Sequence, residues 1–174
     1  MDAPESDQEP LLAPGSEVGH YRVLGLIGSG GMGIIYRARD ETLGREVALK
    51  LIRPDHVEDE SFRHRLFRES KAAATLSHPN IVTVYDVLER HGLPVIVMEL
   101  IDGTSLRNLL ERNGTLPLED ILRTAEELAH ALAHAHAKNI LHRDVNPNNI
   151  MIGRDGWAYL MDFGLARPIR TTDG

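Results

Sequence analysis

The sequence predicts an α+β fold built from two unlike halves. Three observations predict it. Short runs with β-type patterning fill residues 21–98, with one helical segment among them. Helical periodicity takes over after Gly103, and there is no internal repeat. The chain has 174 residues, 42% of them hydrophobic, which is room for one ordinary domain or part of a larger one.

The elements follow in order. Residues 1–19 carry Asp2, Glu5, Asp7, Glu9 and Glu17, no Lys or Arg, and Pro4, Pro10 and Pro14. That composition predicts a disordered acidic tail, with a docking segment as the alternative. Tyr21–Ile27, Ile34–Arg39 and Glu46–Ile52 read as strands. Asp40 to Gly44 has the composition of a hairpin loop between the last two. Ser61 to Leu76 reads as a helix, with Ser61 as N-cap and Phe62, Leu66, Ala73 and Leu76 as its apolar stripe. Ile81–Leu88 and Leu93–Met98 form a second strand pair across Arg90-His91-Gly92.

Thr104 can cap a short helix that ends near Gly114. A long helix follows, its face marked by Ile121, Leu122, Ala125, Leu128, Ala129, Leu132, Ala133 and His136. His136 is expected to face the core. Asn139 can end the helix, because Asn tolerates the left-handed conformation. Ile150–Ile152 and Ala158–Met161 read as short strands around an Asp155-Gly156 turn.

Lys plus Arg total 19 and Asp plus Glu 26, a net charge of −7. Five of those units lie in residues 1–19 and leave the body near −2. An acidic chain argues against general nucleic-acid binding, which needs clustered cations. With no Cys there are no disulfides, thiolate metal sites or cysteine nucleophiles, and a reducing, cytoplasmic setting is expected. The best apolar run, Leu93 to Met98, is far short of the ~20 residues of a spanning helix. The acidic N-terminus lacks the cations of a secretory signal.

Ile27-Gly28-Ser29-Gly30-Gly31-Met32-Gly33 contains G-x-G-x-x-G, where backbone N–H groups can approach phosphate oxygens. A dinucleotide fold would follow it with a helix, but the next residues, Ile34 to Arg39, alternate as a strand. Strand, glycine loop and strand describe a flap over phosphates; a plain glycine-rich hairpin is the alternative. Lys50 closes Val47-Ala48-Leu49-Lys50 and can act as a point charge on phosphate, with Glu69 as the available carboxylate; a solvated lysine and a surface pair of Glu69 with Arg68 or Lys71 are the alternatives. His142-Arg143-Asp144 precedes Asn149 in H-R-D-x-x-x-x-N, and Asp162-Phe163-Gly164 follows the small hairpin. These supply a carboxylate for a hydroxyl nucleophile and oxygen ligands of the kind Mg²⁺ takes.

With those motifs in that order, residues 20–170 resemble the eukaryotic-like protein kinase family, especially its bacterial Ser/Thr members. The resemblance implies an antiparallel N-lobe with hinge over 20–101. It implies a mainly helical C-lobe over 102–174, incomplete and ending where an activation segment begins. Gly28, Ser29, Gly30 and Gly33 would cover the ATP phosphates, and Lys50 would hold them with Glu69 as its ion-pair partner. Asp144 would accept the substrate proton, and Asn149 and Asp162 would bind Mg²⁺, or Mn²⁺ in its place. Met98 would stand at the back of the adenine pocket, with Glu99 and Ile101 as hinge contacts. Ile35, Ala48 and Met151 would sandwich the ring, and Ile27 is counted with the cofactor-binding residues. Ala73, Val84, His142 and Phe163 fall where the family stacks its regulatory spine.

Asn146 stands where the family's Ser/Thr members usually have Lys, counted here with the catalytic residues. It keeps a donor but loses the charge, and such a transition-state contact is worth roughly 3 kcal/mol. The implied function is γ-phosphoryl transfer from Mg-ATP to protein Ser/Thr hydroxyls. The alternatives are a nucleotide-binding, pseudokinase-like module without turnover and a fragment with no stable fold. A small-molecule kinase is disfavoured by the glycine loop and Arg143. The expected partners are ATP and protein substrates, with self-association through an uncovered face of the long helix. Thr171 and Thr172 are candidate phosphorylation sites. His130 and His134 lie four apart but lack the H-E-x-x-H pattern, so a metal role is not expected.

Overall fold

A computed structural model describes residues 12–30, 33–53 and 60–163. The first half is a six-stranded antiparallel sheet: β1 (Glu17–Val18), β2 (Tyr21–Ser29), β3 (Gly33–Asp40), β4 (Arg45–Ile52), β5 (Val84–Arg90) and β6 (Leu93–Glu99). Its spatial order is β1-β2-β3-β4-β6-β5. Period-2 alternation sorts β4 between two faces. Val47, Leu49 and Leu51 pack with Tyr36, Val95 and Val97 in one buried cluster. Ala48, Lys50 and Ile52 turn the other way, toward the helix and the cleft. Helix α1 (Glu60–Ala73) covers that second face, where Leu66 and Phe62 meet Ile52, Ile96 and Val84.

Two expectations here are corrected. The expected disordered tail is ordered from residue 12. Leu12 is buried in the sheet cluster and donates its N–H to the Tyr36 hydroxyl at 3.2 Å. Gly15 N–H donates to the Val23 carbonyl, and β1 pairs with β2. Leu12 and Val18 cover apolar surface that the sheet would otherwise expose, which outweighs the acids around them. The acids and prolines at positions 2–10 lie outside the described residues. Ser61 lies within the first turn of α1, which already begins at Glu60.

The second half holds strand β7 (Gly103–Ser105), helix α2 (Leu106–Asn113), helix α3 (Leu118–Ala137), a 3₁₀ turn (Pro147–Asn149), and strands β8 (Ile150–Gly153) and β9 (Ala158–Leu160). Ser105, one residue after the expected cap, caps α2 by accepting from Asn108 N–H at 3.1 Å. Asn139 ends α3 with φ 58°.

The packed face of α3 matches the expected one only in part: Leu128 and Leu132 pack half-buried against the core. Thr124, Glu127, Ala131 and Ala135 are buried, whereas Ile121 and Leu122 are exposed, as is His136. The helix carries two apolar stripes, and the one with small residues lets it approach β9 closely. There Ala131 and Ala135 join Ala158 and Leu160 in the core. His136 follows Ala135 by a 100° step and so points away from that core.

The loop after α1 ties the halves together. Asn80 Nδ2 donates to the Ala158 carbonyl at 2.9 Å, and Leu160 N–H donates to the Asn80 carbonyl. Glu127 Oε2 accepts from Ala158 N–H at 2.8 Å, so α3, β9 and this loop share one hydrogen-bonded anchor. Among the described residues, no helix is long and apolar enough to cross a membrane.

Candidate active site

The glycine loop joins β2 to β3. Gly30 N–H donates to the Gly33 carbonyl at 2.9 Å. A Cβ at Gly33 would lie 2.6 Å from the Leu51 carbonyl oxygen, so packing against β4 demands glycine there. Gly28 and Gly30 face open space instead, and only an approaching ligand would require their lack of a side chain. Ser29 Oγ accepts from Arg53 at 2.6 Å. Gly31 and Met32 lie outside the described residues.

Beneath the loop, Ile27, Ile35, Ala48, Met98, Glu99, Ile101 and Met151 line one open apolar cleft. All seven were expected at the cofactor site, six of them around the adenine. Val82, Leu100 and Met161 line it too and were not foreseen, because nothing in their local pattern marks them. Glu99 N–H donates to the Thr83 carbonyl, so only its carbonyl can serve a ligand.

Lys50 faces the same side as Ala48 and is buried. Its Nζ lies 2.7 Å from Asp162 Oδ2. The expected Lys50–Glu69 pair is not formed. Glu69 Oε1 instead accepts from Arg143 Nη1 at 2.8 Å, reaching across from α1 to the loop after α3. Two residues in the left-handed region shape this arrangement, Arg143 at φ 68° and Asp162 at φ 66°. That conformation is uncommon outside glycine and is held here by surrounding bonds.

His142 is buried and organises the loop. Its Nδ1 accepts from Asp144 N–H at 3.2 Å, so Nε2 carries the proton and donates to the Met161 carbonyl at 2.8 Å. Burial pushes its pKa below the ordinary value, against the Met161 bond and the nearby Asp162 and Asp144. The ring meets Phe163 edge-on at 4.7 Å. Of the other expected spine residues, Ala73 shares a core with Phe163, and Val84 packs with Leu66 and Ile96.

Asn149 Nδ2 donates to both Asp144 Oδ2 and the Asp144 carbonyl at 2.8 Å. Met161 N–H donates to the Asn149 carbonyl. A continuous path thus links Asp144 through Asn149 and Met161 to Asp162 and Lys50. Asn146 turns back on its own loop. Its Nδ2 donates to the Asp144 carbonyl at 3.2 Å, and its Oδ1 accepts from Asn148 N–H, capping the 3₁₀ turn. That side chain braces the loop that carries Asp144. The described residues hold no cluster of three or more His, Asp or Glu suited to a metal. Asn149 Oδ1 and the Asp162 carboxylate are hard oxygen donors, and this donor type fits a magnesium-class cation that keeps waters and phosphate as its other ligands. Gly164, Thr171 and Thr172 lie outside the described residues.

A sheet-rich half with one helix, a helical half, and this loop between them define a protein-kinase fold. Residues 21–173 match the protein kinase domain model, and the chain belongs to that family. It is 42% identical over 154 residues to the serine/threonine-protein kinase PrkC of Bacillus subtilis, across 88% of this chain and 24% of PrkC. It is 44% identical over 162 residues to PknD of Mycobacterium tuberculosis, across 93% of this chain and 24% of PknD. A crystal structure of the Mycobacterium tuberculosis PknI kinase domain superposes with a TM-score of 0.82 at 35% identity, covering 90% of this chain and 64% of that domain. The chain therefore spans about a quarter of the length of the curated relatives it matches. Protein kinases use ATP with a divalent metal.

Proposed function

We propose that this chain carries the nucleotide-binding and catalytic centre of a serine/threonine protein kinase. The observation that carries the reading is the linked path Asp144–Asn149–Met161–Asp162–Lys50 beside the apolar cleft. The adenine enters between Ile35, Ala48 and Met151, meets Ile27 at the mouth and Met98 at the back, and bonds the Glu99 carbonyl and the Ile101 backbone. Gly28, Ser29, Gly30 and Gly33 offer backbone to the phosphates, and Lys50 offers its charge. Asn149 and Asp162 hold Mg²⁺, with Mn²⁺ as the substitute; the bound cation neutralises charge on the phosphates.

Asp144 orients a Ser or Thr hydroxyl and takes its proton. The hydroxyl oxygen bonds to the γ-phosphorus as the bond to the ADP oxygen breaks. Because Asn149 occupies Asp144 Oδ2, Oδ1 is the oxygen left for the hydroxyl. The test is phosphate transfer from labelled ATP by the full chain with Mg²⁺ or Mn²⁺, onto itself or a generic protein substrate. Transfer that vanishes in Asp144→Asn supports the reading, and no Asp144-dependent transfer sinks it.

A second reading, nucleotide binding without turnover, is favoured by the Glu69–Arg143 pair, which leaves Lys50 without the Glu69 contact. It expects ATP to raise the melting temperature in a Lys50-dependent way while no phosphate is transferred. We place the chain in the cytoplasm, in keeping with its lack of cysteine. Exposed Leu118, Ile121 and Leu122 provide a surface for self-association, which light scattering across a concentration series would detect.

A further inference from the structure

A second concavity, of about 400 Å³, opens away from the nucleotide cleft and shares none of its residues. Arg123, Glu126 and Glu127 of α3 form one wall; Asp155 and Trp157 of the β8–β9 turn form the other. Asn80, whose amide donates to the Ala158 carbonyl, and His130 line it too, and Arg123 is already matched, its Nη2 2.7 Å from Asp120 Oδ1. Three carboxylates remain.

Two of them are held in place. Asp155 accepts from the Tyr159 hydroxyl at 2.6 Å and from Trp157 N–H at 3.0 Å, and these bonds hold its carboxyl below the ordinary range, so it stays ionised at neutral pH. Glu127 is more than nine-tenths buried, yet only its Oε2 is engaged, by Ala158 N–H. Its Oε1 has no hydrogen-bond or ion-pair partner among the described residues, although the side chain forms part of the cavity wall. That oxygen opens to the cavity, where a donor from a ligand can take the place of water. Beside it the Trp157 ring is half exposed, an indole surface that water covers poorly.

A fixed carboxylate oxygen next to an open indole is the setting that recognises a guanidinium, which donates in its plane and stacks with its face. We propose that this cavity is a docking site for an arginine on a basic peptide segment of a partner protein, its guanidinium on Glu127 Oε1 and against Trp157. Glu126 and Asp155 then attract the flanking cations. Arginine is favoured over lysine because an ammonium cannot bond the carboxylate and stack on the ring together.

Trp157 is the single tryptophan of the chain, so its emission reports this cavity. The probes are acetylated, amidated Ala-Arg-Ala-Arg-Ala, its lysine and glutamate counterparts, and spermine, each titrated with saturating ATP present. No phosphoryl transfer is needed, so the outcome is separable from the proposed activity. The arginine peptide is expected to give a saturable change, with the lysine peptide and spermine at least fivefold weaker and the glutamate peptide silent. Glu127→Gln keeps an acceptor for Ala158 N–H while removing the charge, and is expected to weaken binding at least tenfold. Trp157→Phe, followed by calorimetry, is expected to weaken it severalfold and judges the site alone if Glu127→Gln does not fold. Absence of saturable binding, unchanged affinity in either folded variant, or lysine peptide or spermine binding as tightly as the arginine peptide would overturn the proposal.

Discussion

The Lys50–Asp162 pair makes a quantitative demand on the fold. The two side chains are 6% and 12% exposed, and their charged atoms lie 2.7 Å apart. At an effective dielectric near 20, Coulomb attraction at that distance is about 6 kcal/mol. Desolvation of two ions takes back several kcal/mol, so the pair as a whole is worth little, while either charge left alone costs roughly 3–5 kcal/mol. Lys50→Met and Asp162→Asn should therefore each destabilise by about that much. Asparagine is the right replacement at Asp162 because it tolerates the positive φ found there. The double variant strands neither charge and should cost less than the sum of the single variants by at least ~2 kcal/mol. Urea denaturation of all four forms at pH 7 without nucleotide measures this, provided the slopes match. A coupling energy below about 0.5 kcal/mol would refute the argument.

Four further outcomes follow from the geometry. Arg143→Asn removes the partner of Glu69; since Arg143 is half exposed, the pair is worth about 0.2–1 kcal/mol. If Glu69 then moves to Lys50, ATP affinity measured by nucleotide titration should tighten by up to ~5-fold; weaker binding would show that Arg143 supports the site instead. Gly33→Ala should destabilise by about 1–3 kcal/mol through its clash with the Leu51 carbonyl. Gly30→Ala, in open space, should leave the melting temperature unchanged but weaken ATP binding. His78 and His142 both have pKa values lowered first by burial, with His134 and His130 adding to the effect at His78. The unfolded chain binds protons more readily at these sites, so stability holds above the ordinary value of 6.5 and falls as pH drops below it. Melting at pH 7.5 and 5.5 should show that loss, and His78→Asn should reduce it.

Much of the fold was legible because it rests on local signals. The alternation in 34–52 and the glycine at 44 announce the β3–β4 hairpin, and Gly44 does adopt φ 69°. The faces were less legible where two patterns coexist. Helix α3 carries apolar residues on more than one side, and periodicity draws the face through Ile121, Leu122, Leu128 and Leu132 together with Ala125, Ala129 and Ala133. The tertiary structure turned the helix so that Ala131 and Ala135 meet β9, with Leu128 and Leu132 packed beside them and Glu127 bonded to Ala158. Leu12 was hidden by the composition around it: a short Leu11-Leu12-Ala13 run between acids and prolines carries little weight in a window, yet Leu12 fills a position in the sheet core.

The ion pairs were the least legible part, for an energetic reason. Lys50, Arg143, Glu69 and Asp162 form a set of two cations and two anions. Pairing Lys50 with Glu69, or with Asp162 while Glu69 takes Arg143, moves charge among partners without changing the sum. The observed pairing puts the deeply buried Lys50 on the more buried carboxylate and leaves the half-exposed Arg143 to Glu69. That choice is decided by burial and by the left-handed turns at Arg143 and Asp162, none of which sequence spacing encodes. Residue types at motif spacing nominate the members of such a set; their pairing follows from where α1 and the two turns come to rest. A difference that is a small remainder of opposing terms of several kcal/mol each is also one that a bound phosphate or cation, preferring one pairing, is able to reverse.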